Sequence, residues 1–109
     1  MNNTDQSIDK IIDQCRLIFI PDAIEQINAM KNLIDTYYHK KITLEALNIA
    51  IYQHAHYIKG IALTIGYQEI HQISEFITDR IKASNNTIDI DTLVTLTTGL
   101  ADAVSIHRK

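Results

Sequence analysis

The chain reads as all-α: an antiparallel up-down-up-down four-helix bundle with an additional N-terminal helix. Three observations predict this class. There are only three glycines and one proline in 109 residues. No segment sustains the alternation of apolar and polar residues that marks a strand. Nearly every apolar run instead repeats every three to four residues, and the segments between runs are short, which favours antiparallel neighbours.

The first helix is predicted from about Thr4, a suitable N-cap, to Phe19, with Ile8, Ile11, Ile12, Cys15 and Ile18 as its apolar face. It is expected to pack across one end of the bundle. Pro21 suits a first helical position and opens a second helix running to about Tyr38, with Ile24, Ile27, Met30, Ile34 and Tyr37 inward, closed by His39-Lys40-Lys41. The third runs from about Thr43 to Ile65 and ends at Gly66, whose tolerance of positive φ suits a C-terminal cap. A fourth spans about Tyr67 to Ala83 on Ile70, Ile73, Ile77 and Ile81. Ser84-Asn85-Asn86-Thr87 is a turn-rich link. The last helix, with Asp91 as the expected cap, carries Leu93, Leu96, Leu100 and Val104 to a basic end at His107-Arg108-Lys109.

A chain of this length forms one domain, residues 1–109, and holds a core without metal or disulfide staples. A hydrophobic fraction of 46% and a net charge of -3 describe an ordinary globular protein and argue against nucleic acid as a partner. The single cysteine, Cys15, excludes an intrachain disulfide and suits a reducing compartment. No basic leader and no apolar run long enough for a membrane span is present, so a cytoplasmic location without membrane insertion is expected. A monomer is expected too.

The third predicted helix carries the chemistry. On a helical wheel centred on Ile51, Leu44, Leu47, Ala55, Ile58, Ala62 and Ile65 fall within about 40°, which makes them the buried stripe. Lys59, Tyr52, Leu63 and His56 lie at about 80°, 100°, 120° and 140°, and Gly60 near 180°. A glycine inside a helix costs about 1 kcal/mol relative to alanine, so Gly60, one turn after His56, suggests close approach of another molecule. Ile49, Tyr52 and Leu63 form an apolar collar around His56, off the core stripe, where a helix serving only its own bundle should be polar. Such a collar suits a docking partner; a homodimer seam or core is the lesser alternative.

His56-x-x-Lys59-Gly60 followed by Gly66 resembles the signature of histidine-containing phosphotransfer (HPt) domains. The run from Leu47 to Gly60, with Thr64-Ile65-Gly66-Tyr67 after it and Asp89-Ile90-Asp91 opening the last helix, is similar to the N-terminal phosphotransfer domain of chemotaxis histidine kinases. The signature region spans residues 47–82. The resemblance implies that His56 is the phosphoacceptor: neutral imidazole is nucleophilic near pH 7 and yields a labile phosphoramidate. Lys59 would offset phosphoryl charge, and Gly60 would admit the aspartate loop of a receiver domain. Some relatives place a glutamate or glutamine 22 residues on to hold the imidazole. Thr78 stands there in this chain, with Glu75 and Asp79 beside it as partial substitutes, and Lys82 falls where some relatives have a basic residue.

Other histidines have plainer readings. His54 sits at the edge of the core stripe and suits a structural hydrogen bond. His54 and His56 diverge by about 200° and cannot share a metal. No Glu-x-x-His pair marks a di-iron bundle. His71 and Glu75 can share a face, His39 and His107 read as solvent-facing, and the Tyr67 ring is expected to cap the bundle.

The resemblance thus implies a phosphorelay carrier rather than an enzyme, exchanging phosphate with response-regulator receiver domains or a hybrid histidine kinase. No nucleotide loop is present and no cofactor is expected; Mg²⁺ would belong to the receiver. Two alternatives stand beside it: the isolated phosphoacceptor domain of a chemotaxis-type kinase, and a non-enzymatic adaptor bundle whose histidine is incidental. The initial Met1 and the basic stop after His107 suggest a natural short protein.

Overall fold

The computed structural model describes residues 3–107, with side-chain surroundings from residue 7 onward. Among these, four helices form: α1 (Asn3–Tyr38), α2 (Leu44–Ile65), α3 (Gln68–Ala83) and α4 (Ile90–Ser105). Each packs on its chain neighbour and α1 closes the ring on α4. The contacts between α1 and α2 show the antiparallel sense directly: Arg16 reaches Ile65, Asp22 reaches Tyr57 and Gln26 reaches His54, one number rising as the other falls.

The additional N-terminal helix does not exist as a separate element. The two helices predicted on either side of Ile20 are one 36-residue helix with Pro21 inside it. Thr4 therefore lies within α1 instead of capping a helix. A proline inside a helix removes a hydrogen bond and crowds the carbonyl four residues back, at a cost of about 3 kcal/mol. Here that carbonyl belongs to Leu17, and both Leu17 and Pro21 are exposed, so water can satisfy it. Phe19, Ile20 and Ala23, buried on the opposite side, tie the segment to the bundle. Two large buried side chains at about 1.5–3 kcal/mol each outweigh the proline.

Continuity also changes where the first helix goes. Arg16 Nε donates to the Ile65 carbonyl at 3.0 Å, which sets residue 16 level with the last residue of α2. The thirteen residues before it carry α1 about 20 Å past that end, consistent with a longest dimension of 59 Å. The expected apolar face is consequently largely exposed: Ile8 is 49% exposed, Ile11 58% and Ile18 71%, Cys15 is exposed, and only Ile12 is partly buried.

The core lies among the four helices. Leu47, Ile51, Ala55, Ile58 and Ala62 of α2 have no exposed surface, against Met30, Ile27 and Ile34 of α1, Ile70, Ile77 and Ile81 of α3, and Leu93 and Leu100 of α4. Leu44, Ile24, Tyr37, Ile73 and Leu96 are only partly buried at its margin. Thr43, expected as about the first residue of this helix, is its cap and accepts the Ala46 N–H at 3.0 Å, while Gly66 ends it at φ 84°, as the sequence predicts. In the α3–α4 link, Asn85 and Asn86 take positive φ.

The cap of α4 is Asp89 and not Asp91. Asp89 is extended at φ -70°, ψ 161°, and its carboxylate accepts from the Thr92 N–H at 3.4 Å and the Thr92 hydroxyl at 2.6 Å. The bond from Thr92 holds its carboxyl below the ordinary carboxylate value. Asp91 sits in the first turn, near the positive end of the helix dipole. His107 is not simply solvent-facing, because its ring lies 4.4 Å from that of Tyr67. Arg108 and Lys109, expected to complement the end of the last helix, lie outside the described residues.

Candidate functional site: an outward stripe on α2

The same residues that seal the core fix what α2 shows outward. Ala55 and Ile58 have no exposed surface, so His56 between them is turned away from the core by helical geometry and is exposed. The residues that share its face follow alternating steps of three and four: Ile49, Tyr52, His56, Lys59 and Leu63. This line runs about 21 Å along the helix. Its apolar ends are open to solvent, with Ile49 42% and Leu63 63% exposed, while Tyr52 packs partly against the core. The two ends of the collar are therefore surface, and Tyr52 between them lies at the core margin.

Tyr52 and His56 stack, with ring centroids 5.9 Å apart and planes within 5°. Among the described residues no hydrogen bond reaches the His56 ring, so neither nitrogen is tied by a protein donor or acceptor. The imidazole is oriented by an aromatic face and remains open to solvent. Lys59, three residues on, is half-buried along its stem, as a lysine is when its chain lies over apolar surface. Its backbone carbonyl is 3.2 Å from Nδ1 of His71, which pins α3 beside the stripe. His71 Nε2 is in turn 3.8 Å from Glu75, the surface pair read from the sequence.

Gly60 is exposed, and a β-carbon built on it meets nothing within 4 Å. The bundle itself does not need glycine there. Gly99 on α4 is equally open, so an unforced helical glycine is not a mark of function alone. What sets Gly60 apart is its place one turn beyond the free imidazole.

Thr78 is buried and its hydroxyl donates to the Glu75 carbonyl at 2.9 Å. It makes no hydrogen bond to His56 in this arrangement. Glu75, Asp79 and Lys82 are exposed on α3. Thus the structure gathers Ile49, Tyr52, His56, Lys59 and Leu63 on one line, sets Gly60 beside it, and keeps Thr78 within the core. His54 has the structural role expected of it, with Nδ1 2.6 Å from the Gln26 side-chain oxygen. Desolvation by burial lowers its pKa below the usual 6.5.

Two features of the surroundings escaped the sequence reading. Asn48 is fully buried: its amide donates to the Leu44 and Ile88 carbonyls at 2.9 and 3.0 Å, and its oxygen accepts the Ile88 N–H at 3.0 Å. It ties α2, next to Ile49, to the α3–α4 link. A polar residue on a wheel position flanking the core stripe is the one signal that would have found it. Tyr57 donates its hydroxyl to Asp22 at 2.6 Å, bridging α2 to α1, and this bond raises the phenol pKa above 10.0.

Among the described residues, no three His, Cys, Asp or Glu side chains gather as a metal site, and no helix is long and apolar enough to cross a membrane. Comparison of the chain with known protein families, with characterised proteins and with solved structures finds no match. The fold and the stripe stand on their own geometry.

Proposed function

We propose that this bundle is a protein-docking module that engages its partner along Ile49, Tyr52, His56, Lys59 and Leu63, and that the chemistry performed there is phosphoryl transfer through His56. The observation that carries the reading is the free, solvent-facing imidazole held between two exposed apolar ends on a helix whose opposite face is fully sealed. An apolar collar lets a partner exclude water around the ring, while the ring itself needs no rearrangement to be reached. The resemblance of His56-x-x-Lys59-Gly60 and Gly66 to phosphotransfer domains supplies the reaction.

In that reaction the lone pair on the outer nitrogen of His56 attacks the phosphorus of an aspartyl phosphate on a receiver domain. The N–P bond forms, the bond from phosphorus to the aspartate oxygen breaks, and the electron pair leaves with the carboxylate. The other ring nitrogen keeps its proton throughout. The reverse step delivers the phosphoryl group to a second receiver. The Lys59 ammonium, one turn away, offsets charge on the equatorial oxygens in both directions. Gly60 leaves room for the incoming loop. The receiver brings the aspartate and its Mg²⁺.

One observation favours the plainer adaptor reading: among the described residues no hydrogen bond polarises the His56 ring, and the Thr78 hydroxyl is committed to the Glu75 carbonyl. In an adaptor the stripe docks a partner and His56 is only a contact. The two separate cleanly by experiment. Incubation with phosphorylated receivers, and separately with a histidine kinase catalytic domain and ATP, should give acid-labile, base-stable label on His56. His56→Gln should abolish it without changing helicity. Label from the kinase alone would identify an acceptor domain of a chemotaxis-type kinase. Partner binding that survives His56→Gln with no label from either source would refute transfer and leave the adaptor.

A further inference from the structure

The first turns of α1 extend beyond the bundle, and their exposed apolar residues do not scatter. Ile8, Ile11, Cys15 and Ile18 follow spacings of three, four and three, the a/d seam of a coiled coil. An isolated helix of that length is marginal in water, because propagation barely repays nucleation below about 12–15 residues. A straight continuation of α1 with an unpaired seam therefore calls for a partner helix.

The seam is self-complementary. About a two-fold axis at Asp13, Ile8 faces Ile18 of the second copy and Ile11 faces Cys15 of the second copy, and each contact recurs in reverse, as an isologous interface requires. The residues flanking the seam, Ser7, Ile12 and Gln14, carry no charge, so pairing two identical helices brings no repulsion beside it. The direction is set by the bundle. Cys15, Ile18, Phe19 and Asp22 border an open groove of about 400 Å³ whose other wall is α2, with Gly60 and Thr64 among its residues. In a parallel pair, the α2 helices on that side would collide. In an antiparallel pair the bundles lie at opposite ends, and the first turns of one α1 enter the groove of the other copy.

We infer that the overhanging part of α1 pairs antiparallel with the same segment of a second copy, making the chain a homodimer and not the expected monomer. The seam exposes Ile8 at 49%, Ile11 at 58% and Ile18 at 71%, and occupation of the groove adds to what these bury, which places the pair at the small end of specific interfaces, near ~1,200 Å². An interface of that size belongs with weak, transient pairs.

Sedimentation velocity on the full chain should show the 12.4 kDa monomer giving way to a species of twice that mass as concentration rises. Ile11→Asp should abolish the shift and leave the melting temperature of the dilute monomer unchanged, because Ile11 lies outside the bundle. Register is tested by oxidation: Ile11→Cys should cross-link with Cys15 of the second copy through two equivalent disulfides, whereas the wild-type chain should not, its two Cys15 residues lying beyond disulfide reach in the antiparallel pair. A monomer at every concentration overturns the inference. So does ready cross-linking of wild-type Cys15, which would require the parallel pair, or a dimer that survives Ile11→Asp.

Discussion

Replacing Asn48 by alanine tests how the bundle holds the α3–α4 link against α2. The Asn48 amide and oxygen are the partners of the Ile88 carbonyl and N–H, both at 3.0 Å and both buried. Alanine leaves those two backbone groups unpaired, and each orphan costs about 1–3 kcal/mol. Relief of the buried amide and the better helix propensity of alanine return about 1 kcal/mol. The Leu44 carbonyl loses a bond on the partly buried margin and has access to water. The net loss is about 1–5 kcal/mol, centred near 3 and a large share of the 5–15 kcal/mol typical of a domain, and should lower the melting temperature by roughly 5–30 °C. Urea denaturation followed by circular dichroism measures it. Asn48→Asp keeps an acceptor for the Ile88 N–H but buries a charge and loses both donors, so it should be worse near neutral pH and recover partly in acid. If Asn48→Ala stays within about 1 kcal/mol of wild type with an unchanged denaturant slope, the paired bonds do not hold the link and the reasoning fails.

Pro21→Ala restores an N–H toward the Leu17 carbonyl in mid-helix and should stabilise the chain by about 1–3 kcal/mol; destabilisation would mean that α1 needs the proline's local geometry. The two glycines of α2 should respond oppositely in the same thermal melts. Gly60→Ala has open space and should gain about 0.5–1 kcal/mol, whereas Gly66→Ala meets a φ of 84° and an Arg16 nitrogen 3.1 Å from the new carbon and should lose about 1–2 kcal/mol. His54, whose pKa is lowered in the fold by desolvation, binds fewer protons folded than unfolded between that lowered value and about 6.5. Stability should therefore fall as pH drops through this window, and His54→Gln should flatten the slope; an unchanged slope would remove His54 as its source.

The sequence carried the helices with few errors wherever the cap chemistry was local. Thr43 and Gly66 bound α2 because a hydroxyl and a positive φ act within one turn. Asp89 and Asp91 are both good caps two residues apart, and only the backbone decides between them, which is why the boundary moved. Pro21 misled for a different reason. Its local penalty is real, but the burial of Phe19, Ile20 and Ala23 that overrides it depends on what packs against them, and that is tertiary. The error propagated: a separate helix would have folded back and covered Ile8, Ile11 and Ile18, whereas a continuous one leaves them outside. On α2 the wheel placed His56, Tyr52 and Lys59 beside the core correctly, because the stripe from Leu47 to Ile65 has no gap that could rotate the helix. The position of Thr78 depended on the rotation of α3 against α2, and Asn48 on a link forty residues away; neither distance is written in a local pattern.

The burial that makes the stripe legible also constrains how it can work. Ala55 and Ile58 are sealed on both sides of His56, and Ile51 and Ala62 continue the seal a turn beyond. Turning the α2 backbone to change the presentation of the imidazole would expose at least two of these residues at about 1.5–3 kcal/mol for each large side chain. The helix is thus a fixed rail, and the remaining freedom lies in the side chains of Tyr52, His56 and Lys59. Stacking of His56 on Tyr52 narrows that freedom further, since ring rotation must give up the aromatic contact, worth about 0.5–1.5 kcal/mol. Tyr52→Ala should then loosen the imidazole without disturbing the core. If His56 accepts phosphate, the variant should lower the transfer rate more than partner affinity; if the stripe only docks, affinity alone should fall, because Tyr52 would contribute contact area and nothing to the geometry of a reaction.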